Sequence, residues 1–186
     1  MRNVVKPILA VLAALAVQGV IAAPPTVTSQ AALLDRIQIE DLIVSYYSHL
    51  GRNDAEAFGD YYTDDAKFDV NGIVGQGRQG IADVYRRIAG GGGPGGGGTF
   101  HMVLSNPLIQ VIGNTATAQF LWTGINNDTV KAPPRLVEQG REYDTLVKQG
   151  GAWRISKRVV IADSGMPAVY DKTYTPRKDY DPAKDR

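Results

Sequence analysis

The sequence predicts one α+β domain in which helices come first and a long antiparallel β-meander follows. Apolar residues recur at helical spacing from Leu33 to Leu50. Beyond residue 100 the chain consists of alternating, β-prone runs separated by turn signals such as Gly113-Asn114. Because the helices precede the strands instead of alternating with them, an α+β domain is favoured over a parallel sheet built from βαβ units.

Three helices are predicted in the first half of the chain. The first has a single apolar stripe and ends at Gly51; the stripe is formed by Ile39, Leu42, Ile43, Tyr46 and Leu50. Asn53-Asp54 can cap a short second helix that runs through Phe58 to Tyr61. A third helix is predicted from Gln79 to Ala89.

The strands are predicted from period-two alternation. A turn at Thr63-Asp64-Asp65 precedes a first strand at Ala66 to Val70. The later strand candidates are His101 to Leu104, Leu108 to Ile112, Thr115 to Ile125, Leu136 to Lys148 and Ala152 to Ile161.

Two segments have no predicted regular structure. Eight of the nine residues from Gly90 to Gly98 are glycine, and glycine loses the most backbone entropy on ordering. This run is either a flexible connector or a functional lid. It is not a dinucleotide fingerprint, because it precedes a strand instead of joining a strand to a helix. The Pro- and Tyr-rich tail wraps over its own domain or a partner subunit, or is disordered.

The first 22 residues have the pattern of a secretory signal peptide. Arg2 and Lys6 form a basic start, an apolar run follows, and small residues at Ala22 and Ala23 supply a cleavage site. Cleavage after Ala22 is predicted, since cleavage one residue later would put a proline first in the mature chain. A periplasmic or secreted location follows.

The alternative for this segment is a permanent membrane anchor. The uncharged run 7–23 is at the lower limit for crossing a bilayer, and a glutamine and a glycine interrupt it. We therefore expect no permanent membrane anchor. The predicted organisation is a signal peptide at 1–22, an extended leader at 23–32, the folded domain at 33–162 and the tail at 163–186.

Composition excludes several classes of function. Loss of Arg2 and Lys6 from the 20 basic side chains leaves 18 against 19 acidic ones, so no basic field is present to bind nucleic acid. The chain has no cysteine, which excludes thiol catalysis and cysteine-based metal sites. It has two histidines, too few for a convincing zinc site. The sequence also contains no convincing nucleotide-binding motif, so neither a metal nor another cofactor is expected.

Several local strings, in order, carry a resemblance to a known family. They are Tyr46 through Phe58, Tyr62-Thr63-Asp64-Asp65-Ala66, His101 through Pro107, Gly140 through Asp144, and Gly151-Ala152-Trp153-Arg154-Ile155. Together they resemble the SnoaL-like branch of the NTF2-like superfamily, which includes scytalone dehydratase and polyketide cyclases. The resemblance implies a cone-shaped barrel, with a curved, mostly antiparallel sheet packed against three N-terminal helices around an apolar pocket. It also implies a homodimer.

The resemblance singles out His101 and Glu142 as catalytic candidates. Dehydratases of this family begin the corresponding strand with a pocket-facing histidine, and an imidazole exchanges protons near neutral pH. The alternative for His101 is a hydrogen bond at the rim of the sheet. Glu142 lies where those enzymes place a polar pocket residue, and burial would raise its pKa toward the working range. Its alternative is an outward, solvated carboxylate.

Four more residues complete the predicted site. The phenol of Tyr46 either polarises a substrate oxygen or packs in the core. Asp69 enters the pocket only if its neighbours pack on the convex side of the sheet. Trp122 and Asn106 are expected to line the wall or the mouth. Strict alternation puts His101 and Asn106 on opposite faces, so both reach one pocket only through a bulge, which Pro107 favours.

The predicted function is cofactor-independent proton transfer by a lyase or isomerase. A small hydrophobic substrate, aromatic or polyketide-like, would undergo dehydration, isomerisation or a retro-aldol-type cleavage such as deformylation of a lignin-derived diarylpropane. The alternative is a noncatalytic exported protein or accessory subunit that carries a hydrophobic ligand in the same pocket. Many family members have an aspartate at the end of the first helix, where this chain has Leu50-Gly51, and that difference favours the alternative.

Overall fold

The computed structural model describes residues 29–50, 54–90, 98–176, 180–182 and 184. The predicted signal peptide therefore lies outside the described residues, as do residues 91–97 of the glycine run. None of the helices within the described ranges is long and apolar enough to span a membrane.

The helices lie where the apolar periodicity predicts them, with shifted ends. They are α1 (Gln30–Tyr47), α2 (Ala55–Gly59) and α3 (Gly77–Gly90). Helix α1 begins at Gln30, within the predicted leader, because the Ser29 hydroxyl caps it by accepting a hydrogen bond from the Ala32 amide at 3.1 Å. Ile39, Ile43 and Tyr46 form its buried side.

Six strands form one mixed sheet, which is not closed, in the order β2-β1-β6-β5-β4-β3. Their bounds are β1 (Tyr62–Val70), β2 (Ile73–Gln76), β3 (Thr99–Ile112), β4 (Thr115–Asn127), β5 (Arg135–Gln149) and β6 (Ala152–Ser164). Neighbouring strands pair antiparallel except β1 and β6, which are parallel. The α+β class and the mostly antiparallel sheet are thus confirmed.

Two local predictions about the first strands were wrong. Thr63, Asp64 and Asp65 lie inside β1 instead of forming a turn before it, because parallel pairing with β6 already begins at Tyr62. The short strand β2 was not predicted, since its four residues, which include one glycine and one glutamine, give too little alternation to recognise.

The sheet has an inner face, on which the helices pack, and an outer face. The inner-face core joins Ile43 and Tyr46 of α1 to β-sheet residues such as Phe68, Phe120 and Ile155. A smaller outer-face cluster contains Tyr143, Val159 and Ile161, with Tyr180 of the tail packed against it.

The described part of the tail wraps over its own domain. A short 3₁₀ helix, Ala168–Tyr170, follows β6 and buries Tyr170. The Tyr174 hydroxyl donates to the carbonyl of Ala162 at 3.3 Å. On the outer face, the ring of Tyr180 lies 5.3 Å from that of Tyr143. The chain after residue 164 therefore contacts both faces of the sheet.

Candidate functional site

A pocket of about 80 Å³ lies on the inner face, between the end of α1, α3, the sheet and the start of the tail. Its apolar walls come from Leu50, Val70, Ile88, Met102, Val160, Ala162 and Pro167. The remaining lining side chains carry a polar atom and are Tyr47, Asn71, Tyr85, Trp122, Glu138 and Tyr170. An apolar cavity with a few polar groups is typical of small-molecule sites.

Glu138 is the acidic residue of this pocket. It is 7% exposed, and no hydrogen bond or ion pair joins its carboxyl to another described residue. Burial raises the pKa of its carboxyl to about 7, because the charged form loses hydration that no partner replaces. Glu138 is therefore partly ionised and partly protonated near neutral pH, and can both accept and donate a proton.

Two glycines make room for the site on the paired strands β4 and β5. Gly124 pairs with Glu138, and a Cβ at Gly124 would lie 2.9 Å from Oε1 of that glutamate. Gly140 pairs with Trp122, and a Cβ there would overlap the indole ring. A side chain at either glycine would displace the carboxyl or the indole from the pocket wall.

Further along β5, a buried arginine is held by two carboxyl groups. Asp144 accepts two hydrogen bonds from Arg158, one from Nε at 2.7 Å and one from Nη2 at 2.9 Å. Oε1 of Glu142 lies 3.0 Å from Nη2, and all three side chains are fully buried. The guanidinium also lies 4.0 Å from the centre of the Tyr46 ring. We call Arg158, Glu142 and Asp144 the arginine cluster.

The charges of the arginine cluster depend on one another. Burial raises the pKa of Glu142 well above its usual value, against the attraction of Arg158, and the neighbouring Asp144 raises it further. Burial also opposes the charge on Arg158, but Asp144 and Glu142 outweigh that effect and keep its pKa high. Nη1 of Arg158 and Oε1 of Glu142 have no hydrogen-bond partner among the described atoms.

Tyr47 connects the pocket to the arginine cluster. Its ring lines the pocket, and its hydroxyl donates to Oε2 of Glu142. Burial raises the pKa of this phenol well above its usual value, and Glu142 raises it further. Tyr47 therefore stays protonated, donates its one proton to Glu142, and keeps its oxygen free to accept a hydrogen bond.

The structure brings two of the three predicted catalytic residues together, but beneath the pocket. Tyr46 is fully buried, with its hydroxyl bonded to those of Tyr85 and Tyr62. Glu142 is fully buried in the arginine cluster, so neither of its alternatives, pocket-facing or solvated, describes it. His101 is exposed on the outer face, since its neighbour Met102 is the β3 residue that lines the pocket.

The predicted binding residues are divided in the same way. Trp122 lines the pocket, although its Nε1 has no hydrogen-bond partner among the described residues. Asn106 is exposed at an irregularity of β3, with φ of 52°, so it does not reach the pocket. Asp69 accepts a hydrogen bond from the Gly72 amide at 2.9 Å, at the turn between β1 and β2, while Val70 lines the pocket instead.

Sequence reasoning missed Glu138, Tyr47, Asp144 and Arg158. A signal was present in β5, where Glu138, Gly140, Glu142 and Asp144 occupy alternate positions and therefore one face of the strand. Three acidic residues on one strand face predict either a solvated edge or a buried site with a cation. The described residues contain no group of three or more metal-ligating side chains.

Comparisons with known proteins identify the family. Several solved structures share the fold, at identities too low to carry function. Rv3472 of Mycobacterium tuberculosis, a protein of unknown function, is 20% identical with a TM-score of 0.61, over 80% of this chain and 96% of its own. A candidate scytalone dehydratase of Novosphingobium aromaticivorans is 20% identical with a TM-score of 0.57, over 71% of this chain and 86% of its own.

The beta subunit of a candidate aromatic-ring-hydroxylating dioxygenase from Novosphingobium aromaticivorans is 17% identical with a TM-score of 0.61, over 78% of this chain and 100% of its own. None of the curated proteins matches the chain. Residues 31–159 match the SnoaL-like domain. The chain therefore belongs to the SnoaL-like family and has its NTF2-like, cystatin-like α+β fold.

Proposed function

We propose that this protein is a cofactor-independent enzyme that moves a proton on a small, mainly apolar substrate, with Glu138 as the acid and base. The observation that carries the proposal is the buried, unpaired carboxyl of Glu138 in the pocket wall. A carboxyl with a pKa of about 7 is matched to proton transfer at neutral pH.

The proposed chemistry needs no redox step. Ionised Glu138 takes a proton from a C–H or O–H group of the substrate, and the electron pair left behind moves into a carbonyl group or expels a leaving group. The protonated carboxyl then returns the proton to another carbon, which gives isomerisation, or to a departing hydroxyl, which gives dehydration. A retro-aldol-type cleavage follows the same cycle when the first proton comes from a hydroxyl beside the breaking C–C bond.

Tyr47 is the second group of the proposed site. Its phenol lines the same pocket as Glu138, and it stays protonated because burial raises its pKa. Its single proton is donated to Glu142, so the hydroxyl oxygen accepts a hydrogen bond from a substrate hydroxyl and orients the substrate beside Glu138. Glu142 and Arg158 act through Tyr47 in this proposal, so they are positioning residues.

The proposal is tested with a probe for proton abstraction, 5-nitrobenzisoxazole. A carboxylate removes its ring C–H proton, the N–O bond breaks, and a coloured cyanophenolate forms. We expect Glu138→Gln to lower the rate by about 10²-fold or more, and the wild-type rate to rise with pH around pH 7. Glu40→Gln, the same change on the solvent-facing side of helix α1, where Glu40 pairs with Arg36, is the matched control.

Equal rates for the wild type and Glu138→Gln would overturn the proposed role of Glu138. Folded protein that binds the probe without turning it over would instead support the noncatalytic carrier or subunit. The physiological substrate is then sought by a thermal-shift screen of phenolic, diaryl, steroid and polyketide-like compounds.

Export and dimerisation are also part of the proposal. Mass spectrometry of the exported protein should find a mature N-terminus near Ala23, and an intact Met1 on soluble exported protein would contradict it. Light scattering at micromolar concentration should give a dimer mass, and a monomer mass would count against the homodimer.

A further inference from the structure

Among the buried carboxyl groups that the structure describes, Glu138 alone has no described cation beside it. Glu142 and Asp144 share Arg158, at 3.0 and 2.7 Å. Asp35, which is only partly buried, also has a cation, since its Oδ1 lies 2.5 Å from Nζ of Lys148. Among the described residues that line the pocket, none is a lysine, arginine or histidine. Burying a carboxylate without a counter-charge costs free energy. These other carboxyl groups have a cation that offsets this cost, and Glu138 has none among the described residues.

The same pocket is unusually rich in aromatic rings. Tyr47, Tyr85, Trp122 and Tyr170 all line it together with Glu138. The electron-rich faces of such rings attract cations, and aromatic residues around a carboxylate recognise ammonium groups. The chain already uses this interaction in its core, where Arg158 lies over the ring of Tyr46 at 4.0 Å.

We propose that the pocket binds a small organic cation, a protonated amine or quaternary ammonium group attached to an apolar or aromatic body, with the cationic nitrogen beside Glu138. This inference rests on the proposed function, which places a small molecule in the pocket, and it adds that the molecule is positively charged. An anionic ligand would face Glu138 with no lysine, arginine or histidine among the lining residues, so carboxylate compounds are rejected.

Binding of a cation is linked to the ionisation of Glu138. The pKa of the empty site, about 7, means that part of the carboxyl carries a proton at neutral pH. An ammonium group favours the ionised form, so the proton leaves when the ligand enters. At pH 7 about half a proton should be released per cation bound.

The test uses three probes of nearly the same shape: protonated benzylamine, benzyl alcohol and benzoate. Titration calorimetry at pH 8 should give a Kd for the amine at least about tenfold lower than that for the alcohol, a difference of about 1.4 kcal/mol. Benzoate should not bind. At pH 7, titrations in phosphate and in MOPS, which have different ionisation enthalpies and carry an anionic group, should reveal the released proton.

Variants assign the effect to the pocket. Glu138→Gln should bind the amine and the alcohol equally, whereas Glu40→Gln on the surface should keep the wild-type preference. Tyr170→Leu, which removes one ring but keeps the carboxyl, should weaken the amine more than the alcohol. Circular dichroism melts of each variant show that the protein tested is folded.

Three results would overturn the inference: no binding of the amine, equal affinity for amine and alcohol, or a preference that survives Glu138→Gln. Its failure can be distinguished from failure of the proposed function. Glu138-dependent turnover of 5-nitrobenzisoxazole without a preference for the amine would support the proposed enzyme and contradict the cationic ligand. Binding of the amine without that turnover would support the cationic ligand and contradict the proposed enzyme.

Discussion

Glu138 and Glu142 lie on the same face of strand β5, four residues or about 13 Å apart, and differ in what surrounds them. Glu142 is fully buried beside Arg158, in contact with Tyr47. Glu138 is almost as buried, but it faces a pocket and has no cation among the described residues. Burial alone therefore does not distinguish a carboxyl that is held in an ion pair from one that is left available to a ligand. The partner does.

The largest expected effect on stability comes from the arginine cluster, where Glu142 and Asp144 of β5 pair with Arg158. Replacing Arg158 by Met should lower the free energy of unfolding by about 3–5 kcal/mol, because Asp144 and Glu142 would be left buried without their cation. Urea denaturation measures this loss. Arg78→Met, which breaks an exposed pair with Asp64, should cost about 1 kcal/mol or less.

If Arg158→Met loses no more unfolding free energy than Arg78→Met, then Arg158 does not stabilise the buried carboxyl groups and the contrast with Glu138 is wrong. A sharper version combines Arg158→Met with Glu142→Gln and Asp144→Asn. The triple variant should recover part of the lost stability, since neutral amides cost less than unpaired carboxylates to bury.

Removing the charge of Glu138 should raise the stability of the protein, whereas removing the charge of Arg158 should lower it. The folded-state pKa of Glu138, about 7, lies above the ordinary value of 4.5, so the folded protein holds more protons than the unfolded chain between these pH values. Wild-type stability therefore falls as pH rises through this window. Glu138→Gln lacks that loss and should be more stable than the wild type at pH 8 by up to about 3 kcal/mol.

Denaturation of both proteins from pH 4 to pH 8 checks this prediction. The stability difference attributable to ionisation should vanish toward pH 4, where the wild-type carboxyl is protonated in both states. Glu40→Gln should stay within about 0.5 kcal/mol of the wild type throughout. The stability of Glu138→Gln minus that of the wild type should be larger at pH 8 than at pH 4. A smaller difference at pH 8 would contradict the raised pKa of Glu138.

The smallest expected effect distinguishes the two views of His101. If His101 carries the proton, His101→Gln should lower kcat/KM by about 10²-fold. Its exposed position on the outer face leads us to expect a change of less than about twofold and a melting temperature within a few degrees. Steady-state kinetics on the 5-nitrobenzisoxazole probe decides between these values.

The sequence was sufficient for most of the fold because apolar residues recur along α1 and because β4 alternates between buried and less buried residues along most of its length. Parts of the site were less accessible. Helix α1 also exposes Leu33, Ile37 and Val44, so its apolar residues do not form one narrow stripe. One residue along a helix is a rotation of about 100°, which is why Tyr46 was preferred over Tyr47.

Strand β5 hid the rest of the site because both of its faces are polar. Gln139, Arg141 and Thr145 alternate with Glu138, Glu142 and Asp144, so the period-two pattern does not say which set is buried. The burial of Arg158 depends on strand register, which places it opposite Asp144 from another strand. That information appears only when β5 and β6 pair.

The most direct test of the account is the titration of Glu138 itself. Carbon-13 NMR of protein labelled at the glutamate side-chain carboxyl, compared with Glu138→Gln, assigns its resonance and follows it with pH. We expect a midpoint of about 7 for the empty pocket, shifted to lower pH when benzylamine is bound. A midpoint near 4.5, the ordinary value for a glutamate, would contradict it, because Glu138 would then be neither an unpaired buried carboxyl nor a base matched to neutral pH.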